Sequence, residues 1–126
     1  MDAFLEENLH TGQIRPSKSS IAAPVFFIKK KDGLLWLVQD YRVLNAVTVK
    51  NRYPLSLISE LVSQLCGAKY FTKLDVHWDF NNVHIKPGDE WKAAFRTNRS
   101  LFEPLVMFFG MTNSPTTFQT MMNKVF

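Results

Sequence analysis

"VFFIKKKDGLLWLVQDY", residues 25–41, reads as two β-prone runs on either side of Lys31-Asp32-Gly33. The aspartate and glycine supply what a tight reversal needs: a local acceptor and a residue free to take positive φ. The segment is therefore expected to be a hairpin. A two-stranded ribbon is marginal alone in water, so the rest of the chain must provide a body for it to lean on.

That body is legible in outline. Residues 2–10 are expected to form a short helix capped by Asp2, with Phe4, Leu5 and Leu9 on one side and Gly12 as its stop. "RPSKSSIAAP" is a loop, and "YRVLNAVT" has room only for a helical turn. In "NRYPLSLISELVSQLCGAKY" an amphipathic helix of about 10 residues is expected, with Ile58, Leu61, Val62 and Leu65 on one stripe and Gly67 ending it. The run 70–76 then alternates. Phe71, Lys73 and Asp75 fall on one face of an extended chain, with Tyr70, Thr72, Leu74 and Val76 on the other. "VHIKPGDEWKAAFRT" suggests strand, turn, strand, and "LFEPLVMFF" a further strand. In "GMTNSPTTFQTMMNKVF" a loop enters a helix, with Ser114 as N-cap and Pro115 at the first helical position. No repeat, low-complexity tract or linker interrupts the chain. The expectation is one α+β unit, an antiparallel sheet with flanking helices.

Composition narrows the class. The chain has 126 residues, 46% of them hydrophobic, which suits one packed domain rather than a disordered segment. It has no apolar run of the ~18 residues that a spanning helix needs, and its acidic start, "MDAFLEENLH", is unlike a secretory signal. The single cysteine, Cys66, has no internal partner and points to a reducing compartment, so an intracellular location, cytoplasmic or nuclear, is expected. The charge is localised. Between Lys29 and Arg52 lie six basic and two acidic residues, a surplus that equals the whole net charge of +4. A basic segment on a neutral body suits a polyanion, and equally a solvated hairpin with lysines for solubility.

Three segments, in this order, resemble the reverse transcriptase of gypsy-type LTR retrotransposons: "FFIKKKDGLLWLVQDYRVLN", "YFTKLDVHWDFNNVHIKPGDEWKAAFRT" and "LFEPLVMFFGMTNSPTTFQTMMN". The resemblance runs from about Phe4 to Phe126. It implies a fragment of a right-hand polymerase, with fingers over about 1–68 and part of the palm over about 69–126. The implied partners are an RNA or DNA template-primer and a deoxynucleoside triphosphate, with Mg²⁺ or Mn²⁺ as cofactor.

Roles follow from the same resemblance. Asp75 corresponds to the first catalytic carboxylate and metal ligand, with the Val76 carbonyl beside it; a hard divalent ion prefers such oxygen donors. Phe80 corresponds to the aromatic residue beneath the incoming sugar, excluding a ribose 2′-hydroxyl by volume. Phe109 and Gly110 belong to the loop that closes over the nucleotide, and Lys30 and Lys31 at the hairpin tip would meet phosphates. Arg42, Asn113 and Ser114 fall on the template side, although capping is the main role expected of Ser114.

The departures are as informative. The family's Tyr-x-Asp-Asp motif is absent, and no Asp-Asp pair occurs in these 126 residues. Trp36 stands where the family usually has a triphosphate-gripping arginine, His77 where arginine is common, and Asp79 where glycine or alanine is usual. The expectation is a retroelement-derived polymerase fragment that is inactive alone. It would cover its exposed apolar surface by self-association or by the terminal helix with Met121, Met122 and Phe126. A second reading is a non-catalytic binding protein stacking bases on Trp36, Tyr41 or Tyr53. A third, weaker one is a metal-dependent nuclease built on Asp75, His77 and Asp79.

Overall fold

A computed structural model describes residues 1–126. Its elements are α1 (Asp2–His10), β1 (Ile14–Pro16), β2 (Val25–Lys29), β3 (Leu35–Gln39), α2 (Arg42–Val47), α3 (Ile58–Gln64), β4 (Phe95–Arg96), β5 (Leu101–Pro104) and α4 (Ser114–Val125), with 3₁₀ turns at Asp79–Asn82 and Glu90–Ala93. Two antiparallel sheets form, one in the order β1-β5-β4 and one of β2 with β3, so the α+β expectation holds. No helix is long and apolar enough to cross a membrane.

The core sits where α1 covers the three-stranded sheet. Leu5, Ile14, Phe95, Phe102, Val106 and Phe108 are buried together, with Phe4, Ala23, Val25 and Met111 packed around them. Phe95 faces Phe102 directly across β4 and β5, their ring centroids 6.1 Å apart. Burying a side chain of this size contributes about 1.5–3 kcal/mol each, so this cluster is the main apolar stabilisation of the chain.

The hairpin forms as its turn chemistry dictates. Gly33 takes φ +86°, its N–H donates to the Lys30 carbonyl at 3.0 Å, and the Asp32 carboxylate accepts from Leu34 N–H at 3.0 Å. Two links fasten the hairpin to the core sheet. Ala23 exchanges backbone hydrogen bonds with Ala94 and Arg96 at 2.7 and 2.9 Å, and Tyr41, just past β3, is buried among residues of the body.

Several expected elements differ. The alternating run 70–76 forms no strand: Tyr70, Phe71 and Leu74 are all exposed, so both faces of the run meet solvent. Alternation specifies a strand only where a neighbour supplies ladder bonds and covers one face, and no strand lies alongside here. The α3 stripe is likewise uncovered, with Ile58, Leu61, Val62 and Leu65 all exposed, and the helix is 7 residues long. The strand expected after Val83 shrinks to a single bridge between His84 and Val106, and "LFEPLVMFF" to the four residues of β5. Asp2 does not cap α1. Met1 takes that position, and the Asp2 carboxylate pairs with Arg99 at 2.5 Å. "YRVLNAVT" contains a 6-residue helix rather than a lone turn.

Candidate nucleotide and nucleic-acid interface

A row of four aromatic rings joins parts of the chain that lie far apart in sequence. Trp36 on β3 meets Phe109 edge-on, with centroids 6.0 Å apart and planes at 78°. Phe109 tilts against Phe80 at 4.8 Å, and Phe80 meets Phe118 on α4 at 5.6 Å and 75°. Such tilted and edge-to-face pairs add about 0.5–1.5 kcal/mol beyond burial. The Lys30 ammonium lies 5.2 Å from the Trp36 ring centroid, a cation–π distance. Lys30, Phe80 and Phe109, three residues singled out in the sequence, therefore share one surface. Lys31 stands exposed in the turn beyond it.

Phe80 reaches this row through an unusual backbone. Trp78 and Asp79 both have positive φ, 68° and 32°, which costs side-chain-bearing residues energy of order 1–3 kcal/mol. Asn82 holds the turn, its Nδ2 donating to the carbonyls of His77 at 2.8 Å and Asp79 at 3.1 Å. His77 stacks on Trp78, with centroids 4.9 Å apart.

Gly110 has φ +95°, a region in which glycine alone is unstrained. A Cβ there would touch the Gln39 carbonyl at 3.7 Å and Tyr41 Cδ2 at 3.9 Å, ordinary contacts, so the dihedral and not crowding demands glycine. The loop around it is held by two asparagines. Asn45 on α2 donates from Nδ2 to the Gly110 carbonyl at 2.6 Å and accepts from Thr112 N–H at 2.9 Å. Asn113 in the loop donates to the Val49 carbonyl at 2.9 Å and accepts from Asn51 N–H at 2.9 Å.

The remaining expected site residues fare differently. Ser114 is the first residue of α4, and Asn113 takes the N-cap position. Ser114 is buried, and its hydroxyl donates to the Phe108 carbonyl at 2.9 Å, so it fastens the loop from within instead of capping. Arg42 is exposed but occupied. Its guanidinium grips Asp40 through Nε at 2.9 Å and Nη2 at 2.6 Å, and those bonds hold the Asp40 carboxyl below its ordinary range. Tyr41 offers no stacking face: it is buried, its hydroxyl donates to the Ala93 carbonyl at 2.8 Å, and burial raises its pKa well above the phenol's usual value. Tyr53 accepts from Asn123 Nδ2 at 2.7 Å.

Polymerases use paired divalent ions about 3.5–4 Å apart. The residues here do not fit such a centre. Asp75 is exposed in a segment without regular structure, Val76 beside it is half-buried, and nowhere do three His, Cys, Asp or Glu side chains gather as a metal set. The Asp75, His77 and Asp79 nuclease reading lacks a cluster for the same reason.

Sequence reading passed over Asn45, Asn51 and Phe118. Asn45 even lies inside a segment quoted for the resemblance, but nothing in "RVLN" tells where its carboxamide goes.

Comparison with known proteins gives the family and the fold. The family "Reverse transcriptase (RNA-dependent DNA polymerase)" matches residues 28–126. The Transposon Tf2-3 polyprotein of Schizosaccharomyces pombe is 41% identical over 125 residues, covering 99% of this chain and 9% of the polyprotein. This chain therefore spans a small part of the length of that relative. Among solved structures, the native prototype foamy virus protease-reverse transcriptase superposes with a TM-score of 0.82 at 25% identity, over 99% of this chain and 17% of the viral one. A foamy viral protease-reverse transcriptase in complex with an RNA/DNA hybrid gives 0.82 over 96% of this chain and 16% of its own, at 17% identity, a likeness of fold alone. With its mixed helix and sheet fold matching part of that polymerase fold, the chain belongs to the reverse transcriptase (RNA-dependent DNA polymerase) family and corresponds to part of such a domain in retrotransposon polyproteins.

Proposed function

We propose that this chain is the fingers, about 1–68, and the first part of the palm, about 69–126, of a gypsy-type retrotransposon polymerase acting in the cytoplasm or nucleus. Its task is to hold an incoming deoxynucleoside triphosphate and the template strand. The observation that carries this reading is the contact of Phe80 with Phe109 at 4.8 Å, with Trp36 and Lys30 at the end of the same row. An aromatic floor beside a flexible cation suits a nucleotide, which offers a sugar to pack on the rings and phosphates to meet the charge.

In this reading Lys30 and Lys31 meet phosphates, Phe80 and Phe109 pack on the sugar, and Gly110 lets the loop lie close to the nucleotide. Arg42 meets the template, while Asn113 and Ser114 serve it by shaping the loop. Asp75 and the Val76 carbonyl contribute one side of a divalent-ion site that these residues alone do not build. The 126-residue chain by itself, with no Asp-Asp pair, turns over no nucleotide. The foamy viral relatives seen with dsDNA and with an RNA/DNA hybrid make nucleic acid the natural partner to test. The exposed apolar side chains of α3 and of the run 70–76, Val62 and Phe71 among them, make self-association part of the same proposal.

The test is binding of a labelled single strand against salt, run beside primer extension on an RNA template. With about five basic residues at phosphates, log K falls with a slope near −3.5, roughly −0.7 per contact. Extension yields no product. A slope near zero removes the nucleic-acid surface, and extension by purified chain that is lost in Asp75→Ala overturns the claim of inactivity.

A further inference from the structure

Asn45 and Asn113 do the same thing in opposite directions. Each carboxamide reads one carbonyl and one N–H of the other's segment, so the stretch 45–51 and the loop 110–113 exchange four hydrogen bonds of 2.6–2.9 Å through two side chains. The partners lie 62 to 67 residues apart in sequence. A carboxamide has one donor side and one acceptor side, so it imitates a peptide unit. The pair therefore works as a short piece of sheet between two segments that have no strand of their own.

The placement matters more than the number of bonds. Gly110 and Thr112 flank Met111, and Phe109 immediately precedes them in the aromatic row. Asn45 sits one helical turn after Tyr41, its backbone N–H bonded to the Tyr41 carbonyl at 2.7 Å, and Tyr41 is fixed in the body through Ala93. A series of hydrogen bonds therefore leads from the buried core through Tyr41 and Asn45 to the one glycine of the loop.

We infer that Asn45 and Asn113 form a reciprocal clamp that positions the loop Phe109–Asn113 for nucleotide binding, and that both arms must close for either to hold. What the loop does when positioned rests on the nucleotide reading above; the clamp itself does not. Asn45 is a positioning residue, acting through Gly110 and Thr112.

The experiment uses the 126-residue chain and has two readouts. In amide hydrogen exchange, Asn45→Ala speeds Thr112 by about fivefold to thirtyfold, the change expected for one or two lost hydrogen bonds. It also speeds Asn51, which Asn45 does not touch. Unchanged β4 and β5 amides report an intact core. Asn45→Asp keeps the acceptor lobe but loses the donor to the Gly110 carbonyl, so Thr112 and Asn51 both stay faster than in the parent chain, and this isosteric variant decides the matter if the alanine variant fails to fold. An Asn51 rate unmoved in both variants overturns the clamp. In the second readout, a deoxynucleoside triphosphate is titrated. Asn45→Ala and Asn113→Ala each weaken binding by about fivefold to thirtyfold, and the double variant is no worse than either. Asn45→Ala weakens a single-stranded oligonucleotide less than it weakens the triphosphate, since the strand is held mainly by basic residues that Asn45 does not touch. Additive losses, or equal loss of oligonucleotide binding, overturn the positioning role. No triphosphate binding by the parent chain overturns the nucleotide reading and with it the positioning role, while the Asn51 rate still decides whether the clamp exists.

Discussion

Tyr41 and Ala93 are joined by a hydrogen bond of 2.8 Å from the phenol hydroxyl to the carbonyl, with Tyr41 only 2% exposed. This bond is one of two hydrogen-bonded links from the hairpin to the body, the other being the backbone bonds of Ala23 with Ala94 and Arg96. Tyr41→Phe keeps the ring and leaves the Ala93 carbonyl without its partner. A loss of about 1–3 kcal/mol is expected, seen as a lower urea midpoint with unchanged slope. An unchanged midpoint would mean that the hairpin is held by its backbone bonds to Ala94 and Arg96 alone.

Glu103 supplies a pH dependence. Its buried carboxylate accepts from Arg15 Nε at 2.6 Å and Ser17 Oγ at 2.7 Å. Burial pushes its pKa up, but the Ser17 and Arg15 bonds and the Arg15 charge together outweigh that and leave it below its ordinary value. A carboxyl depressed in the folded state stabilises it above the unfolded pKa, and this contribution is lost as pH falls through the folded one. Urea midpoints of the parent chain should therefore drop on acidification below the usual glutamate range. In Glu103→Gln the midpoint at neutral pH is already lower and the acid drop smaller. Parallel curves would show that another carboxylate dominates.

Asp75 is exposed and outside any sheet, and no cluster of carboxylates adjoins it. Asp75→Asn should alter stability by no more than about 0.5 kcal/mol, the usual range for a surface change. Millimolar Mg²⁺ or Mn²⁺ should leave the thermal midpoint of the 126-residue chain where it was, because only a ligand that binds the folded state raises it. A rise that disappears in Asp75→Asn would reveal a metal site that the geometry does not show.

What the sequence disclosed and what it hid divide along one physical line. The β2–β3 hairpin and α1 are specified by neighbours in the chain, by Asp32-Gly33 in the first and by Leu5 and Gly12 in the second. Both formed near the expected residues. The run 70–76 and the α3 stripe carry equally clear periodicity, yet a pattern names only the face to be covered, and nothing in this chain covers it. Site residues follow the same division. Lys30, Phe80 and Phe109 are singled out only by the resemblance of their segments to a known family, and the structure places them along one aromatic row. Asn45 stayed hidden because its meaning lies in Gly110 and Thr112, more than 60 residues away.

The most direct measurement is a titration of the isotope-labelled 126-residue chain with a deoxynucleoside triphosphate, followed by NMR. The expected result is a set of shifts confined to one surface and centred on Lys30, Trp36, Phe80, Phe109 and Gly110, with the amides of α1 and β1 unmoved. Shifts scattered over the chain, or centred away from the Phe80–Phe109 contact, would contradict the proposed site.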